Sequence, residues 1–382
     1  MRILEITYVW PAETFIVRHA QVLANLSADV HLTLASKSPA TIKSASIQDH
    51  VGNTAFKVVS LPNFDFMSPL QKIRQSITTV LTTRAISGAA IRDRSLLQAV
   101  SDLQPDIVHF HFGALAAILA WCPQTLKLPY TVSLRGADIQ VLTLEDPQYV
   151  ANLCDALHGA AGVHTVCDAF AERVKQLCVD TPKLRTIRTC LPFPDAPLPP
   201  LESHGRPPHF VAIGRLHWRK AFHDLIRAMQ YLPDATLDII GDGPEREHLA
   251  YLIHELGLKG RVTLRGKMSP EGVQDALGAA TAYVQSSVAE GFSNALAEAM
   301  VLGKAVFATD IDGTSEVVRD GENGLLLPVG EPTKFAEKLA LAADTDLMRR
   351  LGAAARETGR AAFDEQTHAR EFFDFYQNAL RG

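Results

Sequence analysis

Two pairs of charged residues in the second half of the chain have types and spacings that could do chemistry. Arg215 and Lys220 follow the apolar run His209–Ile213, and Glu290 and Glu298 bracket Gly291-Phe292-Ser293-Asn294. An arginine fork and a lysine point charge together suit a diphosphate. The stretch Ala289–Thr309, AEGFSNALAEAMVLGKAVFAT, adds a second anion-binding device. Ala295–Leu302 is rich in strong helix formers. Ser293 or Asn294 can cap that helix, and Gly303 can stop it. A helix starting there turns its N–H groups and the positive end of its dipole into the loop, which favours an anion. Carboxylates beside an anion site are unfavourable unless they have partners of their own, and sugar hydroxyls are such partners. The residues together point to a ligand with phosphate and sugar groups, although each occurs singly on ordinary solvated helices.

These side chains need a frame that gathers them. Apolar runs predict strands at Arg2–Thr7, Val30–Ala35, Phe56–Leu61, Asp106–Phe112, Tyr130–Leu134, Gly162–Val166 and Leu184–Thr189. A second series follows at His209–Ile213, Thr236–Ile240, Arg261–Arg265, Thr281–Gln285, Ala305–Thr309 and Gly324–Leu327. Helical stretches alternate with them, which predicts parallel, doubly wound sheets. In such sheets ligands bind outside the carboxyl ends of the strands. Those ends carry Gly214-Arg215, with Lys220 opening the next helix, then Gly241-Asp242-Gly243-Pro244, then Glu290–Asn294. In the first half they carry His111-Phe112-Gly113 and Arg135-Gly136-Ala137-Asp138. Alternation within Asp106–Phe112 puts His109 and His111 on one face, and Val108, Phe110 and Phe112 on the other.

A chain of 382 residues exceeds one typical core, so two domains are expected. The proline-dense Leu191–Pro208 reads as the connection between them. We place an N-terminal domain at 1–195, a linker at 196–208, a C-terminal domain at 209–365, and a final helix at 366–382. That tail repeats Ala369, Phe372, Phe373, Phe375, Tyr376 and Leu380 at helical spacing. A net charge of −5 argues against nucleic acid as a partner. Residues 1–200 hold 17 of the 37 basic and 16 of the 42 acidic side chains, so the acidic excess lies in the second half. Within 69–100, Lys72, Arg74, Arg84, Arg92 and Arg94 face one acid, Asp93, a pattern able to sit on anionic lipid. The five cysteines form no C-x-x-C pair and read as reduced, buried thiols. With no signal-peptide pattern at Met1-Arg2 and no apolar run near the ~20 residues of a membrane span, a cytoplasmic protein is expected, with at most peripheral contact at the inner face of the membrane.

From Gly214 onward the chain resembles the retaining nucleotide-sugar glycosyltransferases of family four. Their order of motifs is G-R-L with a following Lys, G-x-G-P, E-G-F with a second Glu after seven residues, and an L-G-x-A/P-V strand. Here these are GRLHWRK, GDGP, EGFSNALAEAM and LGKAVFAT. The first half is similar more loosely, through PAETFI, VHFHFG and LRGADI. The resemblance implies a GT-B fold, an α/β arrangement of two Rossmann-like doubly wound domains facing a central cleft. It implies transfer of a hexose from a UDP- or GDP-sugar to a saccharide or lipid-linked saccharide, as in polysaccharide synthesis, with no cofactor and no metal.

By the same resemblance, Arg215 and Lys220 hold the donor diphosphate, Glu298 the ribose, and Glu290 faces the transferred sugar. Gly291 and the backbone of Phe292, Ser293 and Asn294 hold phosphate and sugar oxygens. Gly214, Gly241, Asp242, Gly243, Lys267 and Met268 surround the rest of the nucleotide, and His111 lies at the reacting centre. Glu13, Thr14, Arg135 and Asp138 fall on the acceptor side, and the final helix crosses back to the first domain.

The chain departs from the pattern in four places. Arg135 stands where the family usually has His, and Ala221 replaces a Gly. Pro11–Thr14 replaces a glycine pair, and Leu191-Pro192-Phe193-Pro194 replaces G-V-D. Other classes fit less well. A dinucleotide fingerprint at Gly241 meets Arg246 at its third glycine, Gly291-Phe292-Ser293-Asn294-Ala295 lacks the last glycine of a hydrolase elbow, and His254-Glu255 has Leu258 where a zinc enzyme needs His. A nucleotide-sugar epimerase and a non-catalytic nucleotide-sugar-binding relative share the expected architecture.

Overall fold

The computed structural model describes residues 1–8, 14–27, 29–36, 56–61, 94–178, 183–193 and 207–381. Two compact units result, one of Met1–Cys190 with Glu365–Gly382, the other of Leu191–Asp364. Glu13, all but two residues of the expected linker, and the basic stretch up to residue 93 lie outside the described residues.

The first unit holds a seven-stranded parallel sheet in the order β3-β2-β1-β4-β5-β6-β7. Its strands are β1 (Arg2–Thr7), β2 (His31–Ser36), β3 (Lys57–Ser60), β4 (Ile107–Phe110), β5 (Tyr130–Leu134), β6 (Gly162–Thr165) and β7 (Leu184–Thr186). The second unit holds a six-stranded parallel sheet in the order β10-β9-β8-β11-β12-β13. These are β8 (His209–Ile213), β9 (Thr236–Ile240), β10 (Val262–Gly266), β11 (Ala282–Gln285), β12 (Ala305–Thr309) and β13 (Leu325–Leu327). Each sheet reverses its winding once, between β1 and β4 and between β8 and β11. Crevices at such reversals are where doubly wound sheets bind ligands.

Both faces of each sheet are covered, which is why the strands read as continuous apolar runs. All five residues of β12 are buried. On one face of the second sheet Phe210, Leu237, Ile239 and Phe307 pack together, and on the other Val211, Tyr283, Val306 and Met300. In the first unit Ile3, Leu32 and Ile107 pack against Ile16, Ala20 and Leu23 of the helix Thr14–Leu26. Phe372, Phe375 and Tyr376 of the final helix, Glu365–Leu380, join the same cluster.

One sequence expectation is overturned. Cys154 and Cys178 form a disulfide, with Cα atoms 5.3 Å apart, while Cys122, Cys167 and Cys190 are buried thiols outside it. The helix Pro147–His158 and the end of Asp168–Leu177 bring the pair together across 24 positions of sequence, a proximity that spacing does not reveal. The expectation of five reduced thiols therefore holds for three of them. No helix among the described residues is long and apolar enough to cross a membrane.

Candidate functional site

In the second unit, four strand ends share one edge of the sheet because all its strands are parallel. A cleft of about 610 Å³ there is lined by Ile213, Gly214, Arg215, Ile240, Gly241, Asp242, Gly243, Lys267, Met268 and Val273. Its floor depends on two glycines. Gly241 has φ +142°, and a Cβ there would stand 1.9 Å from the Gly214 carbonyl oxygen. A Cβ on Gly243 would come within 2.4 Å of the Leu216 oxygen. Only a bare backbone lets the loops after β8 and β9 approach this closely. They are then bonded to each other, Leu216 N–H donating to Asp242 O (3.0 Å) and Glu245 N–H to Leu216 O (3.1 Å). Arg215 is exposed at the rim, and no described carboxylate forms a salt bridge with it.

Beside this cleft, at the reversal between β8 and β11, Lys220 pairs with Glu290. Both are half-buried, with side-chain exposures of 21% and 17%. Ser287 Oγ–H donates to the same Glu290 oxygen (3.1 Å). Two bonds tie the strand-end loops together, Ser286 Oγ–H to Lys220 O (2.8 Å) and Val288 N–H to Arg219 O (2.8 Å). The Lys220 stem lies over Gly214, where a Cβ would meet its Cε at 3.0 Å. Lys220 does not open the next helix, as the sequence suggested. It ends a 3-10 turn, Trp218–Lys220, and Ala221 at φ 43° makes the corner before the helix Phe222–Ala228. That corner needs a left-handed residue, a conformation that glycine adopts more readily than alanine.

Ser293 is the N-cap of the helix Asn294–Leu302, its Oγ accepting from Leu296 N–H at 3.3 Å, and Gly303 at φ 80° ends it. Phe292 anchors the preceding turn against Phe363, with ring centroids 5.2 Å apart. Tyr283, absent from the sequence reading, lies beneath. Burial raises its phenol above the ordinary value; a hydrogen bond with Ser293 opposes this, and the charges of Glu290 and Glu298 add to it. Glu290, Glu298 and Ser293 thus surround one buried phenol. Gly291 is buried, and Asn294 is half-buried as the first helical residue.

The first unit carries its own constellation, centred on a residue the sequence reading passed over. Glu5, in β1, is fully buried. Its Oε1 accepts from His19 Nε2 (2.9 Å) and Tyr376 O–H (3.1 Å), and its Oε2 from His111 Nε2 (2.9 Å). His19 Nδ1 meets His368 Nε2 at 3.0 Å, and His368 Nδ1 donates to Arg188 O at 2.8 Å. Burial alone would raise the Glu5 carboxyl, but His19 and His111 bring it well below its ordinary value. His111 is lowered to about 4 by burial, against the pull of Glu5, so its ring is neutral at physiological pH. Its Nδ1 faces Arg135 Nη2 at 3.3 Å, and Arg135 Nε–H donates to the His111 carbonyl at 3.2 Å. Arg135 also lies 5.0 Å over the Phe15 ring. A sugar hydroxyl would therefore have to displace a partner to reach His111.

Asp138 is buried as well. It accepts from Gly113 N–H (2.9 Å), Gly136 N–H (2.8 Å) and Arg135 N–H (3.2 Å), so it clamps the loops after β4 and β5. Burial raises its carboxyl, and these backbone donors oppose the rise. Thr14 is exposed at the start of its helix. A second buried chain runs beside Glu5. Thr131 Oγ1 meets His109 Nδ1 (2.8 Å), His109 Nε2 meets Ser133 Oγ (2.9 Å), Ser133 Oγ meets His164 Nδ1 (2.7 Å), and His164 Nε2 donates to Ile187 O (2.8 Å). The sequence signals for these clusters were His109 and His111 on one face of a strand and a glutamate inside the apolar run ILEI.

Comparison with known proteins places both halves. A family model of the glycosyl transferase 4-like domain matches residues 12–190, and one of the glycosyl transferases group 1 matches residues 199–358. The lipopolysaccharide core biosynthesis glycosyltransferase LpsE of Rhizobium meliloti is 35% identical over 159 residues, 41% of this chain and 46% of that one. The chain spans about half the length of such curated relatives. The N-acetyl-alpha-D-glucosaminyl L-malate synthase of Bacillus anthracis is 25% identical over 72% of this chain and 75% of its own. Among solved structures, HepE of Anabaena in complex with UDP and glucose superposes with a TM-score of 0.77 at 18% identity, over 99% of each chain. The sucrose-phosphate synthase of Thermosynechococcus elongatus reaches 0.77 at 17% identity, over 100% of this chain and 99% of its own.

Proposed function

The chain belongs to the family-four type of glycosyltransferases, with the GT-B fold, and from that premise we propose that it moves a hexose from a UDP- or GDP-sugar to a saccharide or lipid-linked saccharide acceptor, with retention at the anomeric carbon. The observation that carries this reading is the Lys220–Glu290 pair, which joins two neighbouring strand ends at the sheet reversal, beside a cleft rimmed by Arg215. A cation and a carboxylate in one place suit a ligand with a diphosphate and sugar hydroxyls. The HepE structures, which hold UDP, UDP with glucose, and UDP-glucose, favour uridine over guanosine in this reading.

In the proposed reaction the donor diphosphate lies across the loop after β8. Arg215 supplies a fork to its oxygens, and Lys220 exchanges its contact with Glu290 for one with phosphate. Glu290, released, accepts from hydroxyls of the sugar, while Glu298 accepts from the ribose. The N-terminus of the helix Asn294–Leu302 adds its dipole to the stabilisation of the departing diphosphate. These cations do the work that a divalent metal does elsewhere, so chelator should leave transfer unchanged.

Calorimetric titration with UDP, GDP and their hexose conjugates tests the donor assignment. We expect UDP to bind, and absence of heat with every nucleotide would overturn the reading. With a binding donor in hand, transfer is separated from epimerisation by product analysis, because only transfer requires an acceptor to yield a new glycoside.

A further inference from the structure

We infer that Glu5 is a positioning residue for Arg135: its carboxylate fixes the His111 ring as the Nε2–H tautomer, which turns Nδ1 as an acceptor toward the guanidinium. Its functional weight rests on the acceptor-side reading of Arg135, but its geometry does not. A guanidinium only donates, so His111 Nδ1, 3.3 Å from Arg135 Nη2, carries no proton. A carboxylate only accepts, so His111 Nε2, 2.9 Å from Glu5 Oε2, carries one. Both ends of the ring are specified, and the ring is buried. The backbone is gripped in the same way, since Arg135 Nε–H donates to the His111 carbonyl at 3.2 Å.

The same donor count shows how a buried carboxylate is tolerated. Arg188 O can only accept, so His368 Nδ1 carries a proton. Glu5 Oε1 accepts from His19 Nε2, so that nitrogen carries another. The 3.0 Å contact between His19 Nδ1 and His368 Nε2 needs a third. Three protons on two rings make one positive charge beside one negative charge. The third proton lies in the contact between the two rings, so the pair as a whole carries the charge. Glu5 is thus half of a buried ion pair, and Tyr376 O–H supplies a further hydrogen bond at 3.1 Å. Removing one partner of a buried pair is costly because the other stays charged and unsolvated.

Two substitutions of similar volume separate positioning from packing. In Glu5→Gln the amide oxygen can accept from His111 Nε2–H. Its NH₂ can donate to His19 Nε2 and to the Tyr376 oxygen, and His19 then needs only its Nδ1 proton. In Glu5→Leu the His111 Nε2–H has no acceptor. We would record long-range proton–nitrogen spectra of the histidine rings in the full-length protein, assigning His111 by its loss in His111→Asn. The expected result in Glu5→Leu is loss of the fixed Nε2–H form of His111 and about tenfold faster solvent exchange of the Arg135 Nε–H, the effect of one lost hydrogen bond. Glu5→Gln should restore both and take the His19–His368 pair from three ring protons to two. If His111 and Arg135 in Glu5→Leu match wild type, the inference fails. If Glu5→Leu does not fold, Glu5→Gln decides alone, and loss of the fixed Nε2–H form of His111 there, although the amide oxygen can accept from it, would overturn the inference. UDP binding, measured in parallel, reports on the other unit, so its absence would count against the proposed function and leave this result standing.

Discussion

The two units share a winding scheme and spend their polar residues in opposite ways. The second unit keeps its sheet faces largely apolar and concentrates charge at the strand ends, in Arg215, Lys220 and Glu290, with Glu298 one turn into the helix that follows. The first unit carries a polar belt across one buried face: Glu5 on β1, His109 on β4, Thr131 and Ser133 on β5, His164 on β6. Glu5 lies opposite His109, and Ser133 opposite His164, so the belt follows the register of neighbouring strands. Side chains from the helices Thr14–Leu26 and Glu365–Leu380, namely His19, His368 and Tyr376, complete it. Topology alone therefore does not say where a unit puts its charge. A charge at a strand end stays accessible to ligand and costs little to ionise, whereas one inside the face must have every partner supplied by the fold.

That contrast can be broken in several places. The largest expected effect is on stability in the first unit. Glu5→Ala removes half of a buried pair and should destabilise that unit by about 3–5 kcal/mol. Glu290→Ala, at a partly solvated pair, should cost stability about 1 kcal/mol or less. Hydrogen exchange resolved by unit would show it, and equal losses would erase the distinction drawn here. Next comes chemistry: Arg215→Ala should lower turnover by about 10²–10³, roughly 3–4 kcal/mol of transition-state stabilisation, with melting unchanged. Wild-type turnover in that variant would remove Arg215 from the donor site.

The units should also differ in their response to acid. Burial lowers His111 to about 4 and holds His109 and His164 well below their ordinary values. An unfolded histidine binds its proton near pH 6.5, before the folded one does, so falling pH favours the unfolded state. Stability from these rings is complete above about pH 6.5 and is lost as pH falls toward the folded values, about 3 kcal/mol for His111 alone. Melting followed from pH 7 to 4 should therefore show the first unit loosening before the second. The smallest effect concerns Ala221, whose φ of 43° is left-handed. Ala221→Gly should relieve about 1 kcal/mol of backbone strain and raise the melting temperature of the second unit slightly. A fall would show that the buried methyl group outweighs the strain.

Much of the frame was legible in advance. Arg2–Thr7, Tyr130–Leu134, His209–Ile213, Thr236–Ile240 and Ala305–Thr309 are strands with the bounds the sequence suggested. Runs buried on both faces leave an uninterrupted apolar signal, and glycine or charge marks where each ends. The loops carrying Arg215, Gly241 and Glu290 were legible for the same reason. The corner at Ala221 was less so, because the left-handed residue that shapes it is not a glycine. The pairing of Cys154 with Cys178 and the hub at Glu5 left almost no trace. Each joins residues far apart in sequence, Glu5 and Tyr376 by 371 positions.

The amino-acid order by itself determined the two parallel sheets, the edge on which their loops emerge, and the kinds of charge at the strand ends of the second unit. Those properties follow from periodicity and short-range turn chemistry, which act within a few residues. Which charges meet, which rings are neutral and which nitrogen bears the proton were decided only when strands and helices packed. Those depend on donors and acceptors brought within hydrogen-bonding distance by contacts that no local pattern encodes.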